Sequence, residues 1–157
     1  MPDPCMKIVL VTPEIPHNTG AIGRTCVALD LELILIKPYG FSINETTVIR
    51  AGTRYWKHIR LAQYDDWKSF LKDRKPAREN LYFFEEHGAQ SFYSPDYSED
   101  GYLVFGCESK GLPITILKEM EDRVFNVPMR SPLVKSLNLA NVATAVAYQA
   151  MRTQLGG

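Results

Sequence analysis

The sequence lacks the cysteine patterns that stabilise small extracellular domains or hold structural metals. Its three cysteines, Cys5, Cys26 and Cys107, are spread along the chain without a CxxC pair or a Cys/His cluster. An odd number at such spacing argues against a disulfide framework and against a zinc site. We therefore expect reduced cysteines, no metal and a cytoplasmic protein.

Long apolar runs and a signal segment are also missing. The longest apolar runs, 8–11 and 33–36, are far shorter than the ~20 residues that a membrane-spanning helix needs. No basic stretch followed by an apolar segment opens the chain. These features favour neither a membrane protein nor a secreted one.

Neither sign of charge is in excess, since 18 Lys and Arg balance 18 Asp and Glu. Overall charge therefore gives no indication of a polyanionic partner. The charge is unevenly distributed, however. Residues 46–64 contain no acidic residue, whereas most of the charged residues in 96–122 are acidic. The first of these stretches carries four cations, Arg50, Arg54, Lys57 and Arg60, interleaved with Tyr55, Trp56, His58 and Tyr64.

We call residues 50–64 the basic-aromatic patch. Cations that bind phosphates and aromatic rings that stack on unpaired bases are the components of a nucleic-acid surface. A solvated loop with Trp56 in the core is the alternative. The pattern alone leaves both interpretations open.

The rest of the sequence predicts one α/β domain spanning residues 1–157. With 45% hydrophobic residues, a chain of 157 residues can form one sizeable core. Short apolar strands are predicted at 6–12, 33–37, 80–85, 102–105 and 123–127. Helices are predicted from an Asn18 or Thr19 cap to about 30, at 65–73, at 113–120, and from Leu137 to about 153 after a Ser136 cap. This alternation indicates a parallel sheet with helices on both faces.

The loop and helix start at 13–24 form the first segment that could carry chemistry. It joins the first strand to the first helix, where parallel sheets place ligands and free N–H groups attract phosphate. Helical spacing directs Arg24 away from the apolar stripe formed by Ile22, Cys26 and Leu29. A capped helix with a solvated arginine is the alternative.

The second segment, 105–113, again lies between a strand and a helix. It matches neither GxGxxG nor GxxxxGK[ST], and it is not a GxSxG nucleophile elbow. Its two glycines would let backbone groups contact a flat ligand, or they would simply form a tight turn. Cys107 is interpreted as a small turn residue, because no histidine is near it in sequence.

The third segment comprises 127–136 and the final helix. Asn138, Asn141, Ala145 and Tyr148 fall within about 80° of one another on a helix. The predicted core stripe of the same helix is formed by Leu139, Val142, Ala143, Val146 and Ala150. The polar face would either bind a partner or consist of helix-start and packing residues.

Four stretches together resemble a known family. PEIPHNTGAIGR, RAGTRYWKHI, FGCESKGLP and SLNLANVATAVAYQA occur in this order and span almost the whole chain. They resemble the SpoU–TrmD (SPOUT) superfamily of RNA methyltransferases, and in particular the small tRNA 2'-O-methyltransferases that modify the wobble nucleotide of certain leucine tRNAs. The resemblance implies a deep C-terminal trefoil knot, S-adenosylmethionine bound in that knot, and a homodimer.

The resemblance also implies site residues. Asn18 and Arg24 match residues that act on the substrate, and Asn141 and Tyr148 match the last motif, near the cofactor and the dimer interface. The implied catalytic residues are Arg24, Asn18 and Tyr148. The implied cofactor pocket comprises Phe84, Gly106, Val127 and Ser136, with Glu108, Gly111, Leu112, Met129 and Leu137 nearby. The 129–136 loop is one residue longer than is usual in the family, and Lys135 stands where arginine is common.

The implied reaction is an in-line attack of a ribose 2'-hydroxyl on the sulfonium methyl group. Arg24 would act as the base or, because a guanidinium rarely loses its proton, would hold the neighbouring phosphate. The implied substrate is a tRNA anticodon stem-loop, bound through phosphates by Arg50, Arg54, Lys57 and Arg60 of two subunits. The alternatives are another tRNA or rRNA nucleotide, and a nucleotide-binding module without catalysis.

Overall fold

A computed structural model describes residues 5–157 and contains one seven-stranded parallel sheet. The strands are β1 (Lys7–Val11), β2 (Glu32–Ile36), β3 (Arg60–Tyr64), β4 (Leu81–Phe84), β5 (Gln90–Ser91), β6 (Tyr102–Phe105) and β7 (Val124–Asn126). Their order in the sheet is β3-β2-β1-β6-β4-β7-β5. Every pairing is parallel, which confirms the predicted type of sheet.

Four helices lie between these strands and a fifth follows the last strand. They are α1 (Pro16–Leu29), α2 (Thr46–Gly52), α3 (Trp67–Arg74), α4 (Ile114–Glu119) and α5 (Leu139–Ala150), and 3₁₀ turns cover Thr53–His58, Arg78–Asn80 and Glu121–Arg123. No helix within 5–157 has the length and hydropathy needed to cross a membrane.

The sheet is covered on both faces, as the sequence predicts. Ile8 and Leu10 belong to one buried cluster, whereas Val9 and Val11 belong to another. Because successive side chains of a strand point to opposite faces, these clusters are the two sides of the sheet. The first contains the predicted stripes of α1 and α5, and the second contains residues of α3 and α4.

Two predicted helix caps are wrong. α1 begins at Pro16, with Ile15 in an extended conformation at the cap position, rather than at Asn18 or Thr19. Proline suits a first helical turn because the missing N–H would have had no partner within the helix. α5 begins at Leu139 and is capped by Asn138, whose side chain accepts hydrogen bonds from two helix N–H groups, rather than by Ser136.

The basic-aromatic patch forms regular secondary structure, so it is not the solvated loop of the alternative interpretation. It contains the end of α2, a 3₁₀ turn and the edge strand β3. β3 was not predicted because RLAQY has no continuous apolar run, and its residues are only partly buried or exposed. Trp56 is half-buried and packs against the core on the α1 side of the sheet.

Two glycines bring this patch against α1. A Cβ on Gly20 would lie 2.2 Å from the carbonyl oxygen of Val48 in α2, and one on Gly23 would lie 2.5 Å from the ring of Trp56. Real Cβ atoms do not approach other atoms this closely, so larger residues would push the elements apart. The lack of side chains at these two positions therefore sets the distance between α1 and the segment formed by α2 and the patch.

Candidate functional site

A cavity of about 310 Å³ lies beyond the carboxyl ends of β4, β6 and β7. Ligands of parallel α/β sheets bind at this end of the strands. Its walls come from three stretches, 84–87, 105–111 and 127–142. Eight of the nine predicted cofactor residues line it, namely Phe84, Gly106, Glu108, Gly111, Val127, Met129, Ser136 and Leu137.

Leu112 is the predicted cofactor residue that does not line the cavity. Its side chain is buried in the cluster on the opposite face of the sheet, with 4% of its surface exposed. Its backbone N–H donates a hydrogen bond to Glu85, a residue of the cavity wall. Leu112 therefore supports the wall from behind.

The loop after β6 doubles back on itself. Cys107 and Gly111 exchange backbone hydrogen bonds of 3.2 and 2.9 Å, and Gly111 has a φ of +69° that favours glycine. The Cys107 thiol points to the Gly111 carbonyl oxygen at 3.7 Å, as expected for a turn residue. The segment is thus both a tight turn and a wall of the cavity.

Two carboxylates tie this loop to the loop after β1. Glu108 accepts hydrogen bonds from the N–H groups of Glu14 and Ile15, at 2.9 and 2.8 Å, just before α1 begins. Glu14 accepts in return from the N–H and hydroxyl of Ser109, at 2.8 and 2.7 Å. The hydrogen bonds from Ser109 are the main reason that the pKa of Glu14 lies below its usual range. We call these reciprocal contacts the carboxylate clasp.

Asn18 joins the carboxylate clasp to the third segment. Its amide nitrogen donates to Glu108 at 3.1 Å, and its amide oxygen accepts from Asn138 at 3.0 Å. Only 3% of Asn18 is exposed. Both ends of the amide are engaged within the protein, so the structure places Asn18 where it positions other groups.

Arg24 lies outside the cavity, exposed on α1. Its guanidinium carbon is 5.3 Å from the centre of the Tyr55 ring, and that of Arg54 is 5.1 Å from the same centre. Arg54 also donates a hydrogen bond to the Tyr55 hydroxyl at 3.0 Å. Within residues 5–157, neither arginine has a carboxylate within 4.0 Å. Two guanidinium groups held near one ring, without a nearby carboxylate in the described chain to neutralise them, form a favourable binding site for an anion.

The other predicted RNA-binding residues are of two kinds. Arg50 and Lys57 are exposed and form no ion pair with the rest of the described chain. Arg60 instead donates hydrogen bonds to the carboxylate and the carbonyl oxygen of Asp30. Asp30 precedes the amino end of β2, whereas the cavity lies beyond the carboxyl ends of other strands. Arg60 thus has an internal partner that the first two lack.

Tyr148 is also outside the cavity, with 51% of its surface exposed on α5. Asn141 and Ala145 are exposed on the same helix, whereas Ala143 and Val146 on its other face are fully buried. The polar face predicted from the sequence is therefore open.

Nine residues of the cavity wall were not among the predicted cofactor residues, namely Glu85, Glu86, His87, Phe105, Cys107, Ser109, Lys110, Leu139 and Val142. Four of them, Phe105, Cys107, Ser109 and Lys110, lie in the second predicted segment, 105–113. The three residues 85–87 follow β4 directly, so the rule that ligands lie beyond strand ends could have identified them. No group of three or more His, Cys, Asp or Glu suited to a metal ion occurs in the described part of the chain.

Most of this chain is similar to proteins of one methyltransferase family. A family model described as the SpoU rRNA Methylase family matches residues 6–149. A Saccharophagus degradans protein named tRNA (cytidine(34)-2'-O)-methyltransferase is 39% identical over 151 residues, which is 96% of each chain. A Listeria innocua protein, provisionally named for the same activity, is 40% identical over 96% of this chain and 89% of its own length.

Solved structures agree with the sequence comparison. One, described as giving structural insights into the 2-OH methylation of C/U34 on tRNA, has a TM-score of 0.90 and 38% identity over 98% of both chains. The AdoMet complex of the SpoU methyltransferase AviRb from Streptomyces viridochromogenes shares the fold, with a TM-score of 0.84, 24% identity, and coverage of 100% of this chain and 60% of that one. The resemblance found in four sequence segments is confirmed, and this chain belongs to the SpoU methyltransferase family.

Proposed function

We propose that this protein is a single-domain enzyme that methylates the ribose 2'-hydroxyl of the wobble nucleotide, cytidine or a modified uridine at position 34, in tRNA. The relatives at 38–40% identity are described by this activity. The observation that carries the proposal is that the second and third segments line one cavity and that Asn18 joins both of them to the helix that bears Arg24.

S-adenosylmethionine fits the cavity as its cofactor. A volume of about 310 Å³ lies within the usual range for small-molecule sites. The stacked rings of Phe84 and Phe105, whose centres are 5.0 Å apart, offer an apolar wall for a base. When bound, the cofactor supplies a methyl group already activated by its sulfonium. The loops that line the cavity are those that the C-terminal knot implied by the resemblance would contain.

The residues of the chain then supply alignment and charge. The carboxylate clasp and Asn18 fix the loops in place, and fixed geometry accounts for much of the rate in a transfer from an activated donor. We assign Arg24 to the phosphate beside the reacting ribose, where a permanent cation also favours the developing alkoxide. Tyr148 and the open face of α5 are assigned to the dimer interface near the cofactor.

The basic-aromatic patch is the proposed contact with the anticodon stem-loop. Arg50, Arg54 and Lys57 are exposed cations with no carboxylate within 4.0 Å among residues 5–157, and Arg60 extends their row. A homodimer would present two copies of the patch to one RNA, which explains how a chain of zero net charge binds a polyanion. A tRNA substrate also fits a cytoplasmic enzyme.

The test is methyl transfer from labelled S-adenosylmethionine to total tRNA from a strain that lacks this gene, followed by nucleoside mapping. We expect label on the 2'-oxygen of nucleotide 34. Label on another tRNA nucleotide or on rRNA would contradict the substrate and retain the reaction. Failure to bind S-adenosylmethionine would contradict the enzymatic function and favour a non-catalytic module.

A further inference from the structure

A half-buried carboxylate forms part of the cavity wall. Glu85 directly follows β4 and lines the cavity. One carboxylate oxygen accepts a hydrogen bond from the Leu112 N–H at 3.0 Å. A Cβ on Gly111 would lie 2.5 and 2.7 Å from the two carboxylate oxygens, so the carboxylate rests directly against the Gly111 backbone. Its position is therefore fixed by the loop after β6.

The surroundings of this carboxylate disfavour its charged form. Burial raises the pKa of Glu85 and neighbouring Glu86 raises it further, while the Leu112 N–H and His87 lower it. Within residues 5–157, no side-chain nitrogen of Lys, Arg or His lies within 4.0 Å of it. A partly desolvated charge with one hydrogen-bond donor is unfavourable unless a ligand supplies further donors.

The chemistry of the wall indicates which donors these are. An ionised carboxylate offers about four lone-pair sites, and the described residues fill one. The adjacent residue, Phe84, is part of the apolar wall that suits a base. A ribose attached to that base would bring two neighbouring hydroxyls, and carboxylates bind ribose hydroxyls in nucleotide sites of other parallel sheets.

The sulfonium of the cofactor is the less favourable partner. Methyl transfer disperses the positive charge on sulfur, so a carboxylate in contact with it would stabilise the ground state more than the transition state. The ribose carries no charge that changes during the reaction. A carboxylate bound to the ribose therefore adds affinity without lowering the rate.

Building on the function proposed above, we propose that Glu85 binds the ribose hydroxyls of S-adenosylmethionine and is a determinant of cofactor affinity. The matching variant is Glu85→Gln, which retains an acceptor for the Leu112 N–H and removes the charge. Calorimetric titration should show about tenfold weaker binding of both S-adenosylmethionine and S-adenosylhomocysteine. Glu99→Gln, an exposed acid in the turn before β6, is the control and should bind both like the unmodified protein.

A ligand without one hydroxyl tests the same contact on the unmodified protein. The 2'-deoxyribose analogue of S-adenosylhomocysteine should also bind about tenfold more weakly to the unmodified chain. Glu85→Gln should discriminate little between the two ligands, because the two changes remove one interaction. Equal discrimination by both proteins would overturn the proposal, as would a loss confined to S-adenosylmethionine, which would place the carboxylate at the sulfonium.

Urea unfolding of the ligand-free protein distinguishes binding from a structural role. Because the pKa of Glu85 is raised, ionisation opposes folding above that pKa, and the penalty disappears as the pH falls below it. Glu85→Gln should therefore unfold at the same or a higher urea concentration than the unmodified protein at pH 8. A less stable variant with unchanged affinity would overturn the proposal. If the unmodified protein did not bind S-adenosylmethionine, the cofactor assignment would fail with it, whereas bound cofactor without transfer to tRNA would contradict only the substrate.

Discussion

The polar groups around the cavity have hydrogen-bond partners within the protein, whereas most cations of the basic-aromatic patch have no carboxylate partner in the described chain. Around the cavity, Glu14, Glu108 and Asn18 all have partners within the protein. At the patch, Arg54 and the neighbouring Arg24 of α1 share the Tyr55 ring, and neither has a carboxylate within 4.0 Å in the described chain. A closed network fixes its geometry before a ligand binds, whereas open cations remain available to phosphates.

Other arginines show that the open cations are not a general property of this chain. Arg74 donates two hydrogen bonds to Glu32, at 2.8 and 2.6 Å, and Arg78 pairs with Asp122. Arg60, at the far edge of the patch, pairs with Asp30. Among residues 5–157, Arg24 and Arg54 have no such carboxylate partner and share the Tyr55 ring, so variants at these two positions distinguish binding from structural roles.

The largest effect is expected for Arg24→Ala. Loss of the cation beside the reacting ribose should lower kcat about 100- to 1000-fold, as for removal of one group that stabilises developing charge. Cofactor affinity should change little, because Arg24 does not line the cavity. Single-turnover methylation and calorimetry measure the two quantities, and Lys118→Ala, an exposed cation on α4, is the control. Full turnover in Arg24→Ala would remove it from the site.

Asn18→Ala should have the next largest effect and should act on the closed network. It leaves Glu108 and Asn138 without a shared buried partner, which should lower the free energy of unfolding by about 1–3 kcal/mol. Turnover should also fall, because the three loops lose their connection. Urea unfolding and kcat are the measurements, with exposed Asn44→Ala as the control. A variant of full stability and reduced turnover would indicate that Asn18 acts on the substrate directly.

A matched pair on the patch tests whether the internal partner of Arg60 matters. Arg54→Ala should reduce the slope of log K against log salt concentration for tRNA binding by about one unit. Arg60→Ala should reduce it less, because Asp30 already neutralises that cation. Filter binding at several salt concentrations gives both slopes. Equal reductions would mean that Arg60 exchanges Asp30 for a phosphate when RNA binds.

The smallest effect is expected for Glu14→Gln in the carboxylate clasp. Because the pKa of Glu14 is lowered in the folded protein, its charged form favours folding at neutral pH, and this contribution is lost as the pH falls through the lowered pKa. The variant should therefore unfold at a slightly lower urea concentration at pH 7, and the difference should shrink in acid. A difference that is constant with pH would show that the charge of Glu14 has no part in it.

The sequence predicts the strands of the sheet interior better than the patch. β1, β2, β4 and β6 are continuous apolar runs because both faces of the sheet are covered, and such runs are visible without any tertiary information. β3 is partly exposed and its residues are mixed, so its position depends on pairing with β2. Local pattern cannot reveal a pairing between distant segments.

The candidate site shows the same limit. Gly106, Ser136 and Glu108, which the resemblance implies as cofactor residues, line one cavity, and their segments follow strands. The role of Asn18 was not predictable, because its partners Glu108 and Asn138 are 90 and 120 residues away. Its suitability as a helix cap also misled the prediction, since a short polar side chain near a helix start has the same local signature in either role.

Helix α1 connects the two regions, and its two glycines have a consequence for catalysis. Its first turn is held to the cavity through Asn18, while Gly20 and Gly23 let α2 and Trp56 pack directly on its backbone. One added methyl group at Gly20 would move the proposed RNA-binding surface without altering any group proposed to contact a phosphate or the cofactor. Methyl transfer would then fail, because the bound RNA and the bound cofactor would no longer lie at the distance that the reaction needs. The spacing between the patch and the cavity is therefore as essential to this enzyme as any reactive group.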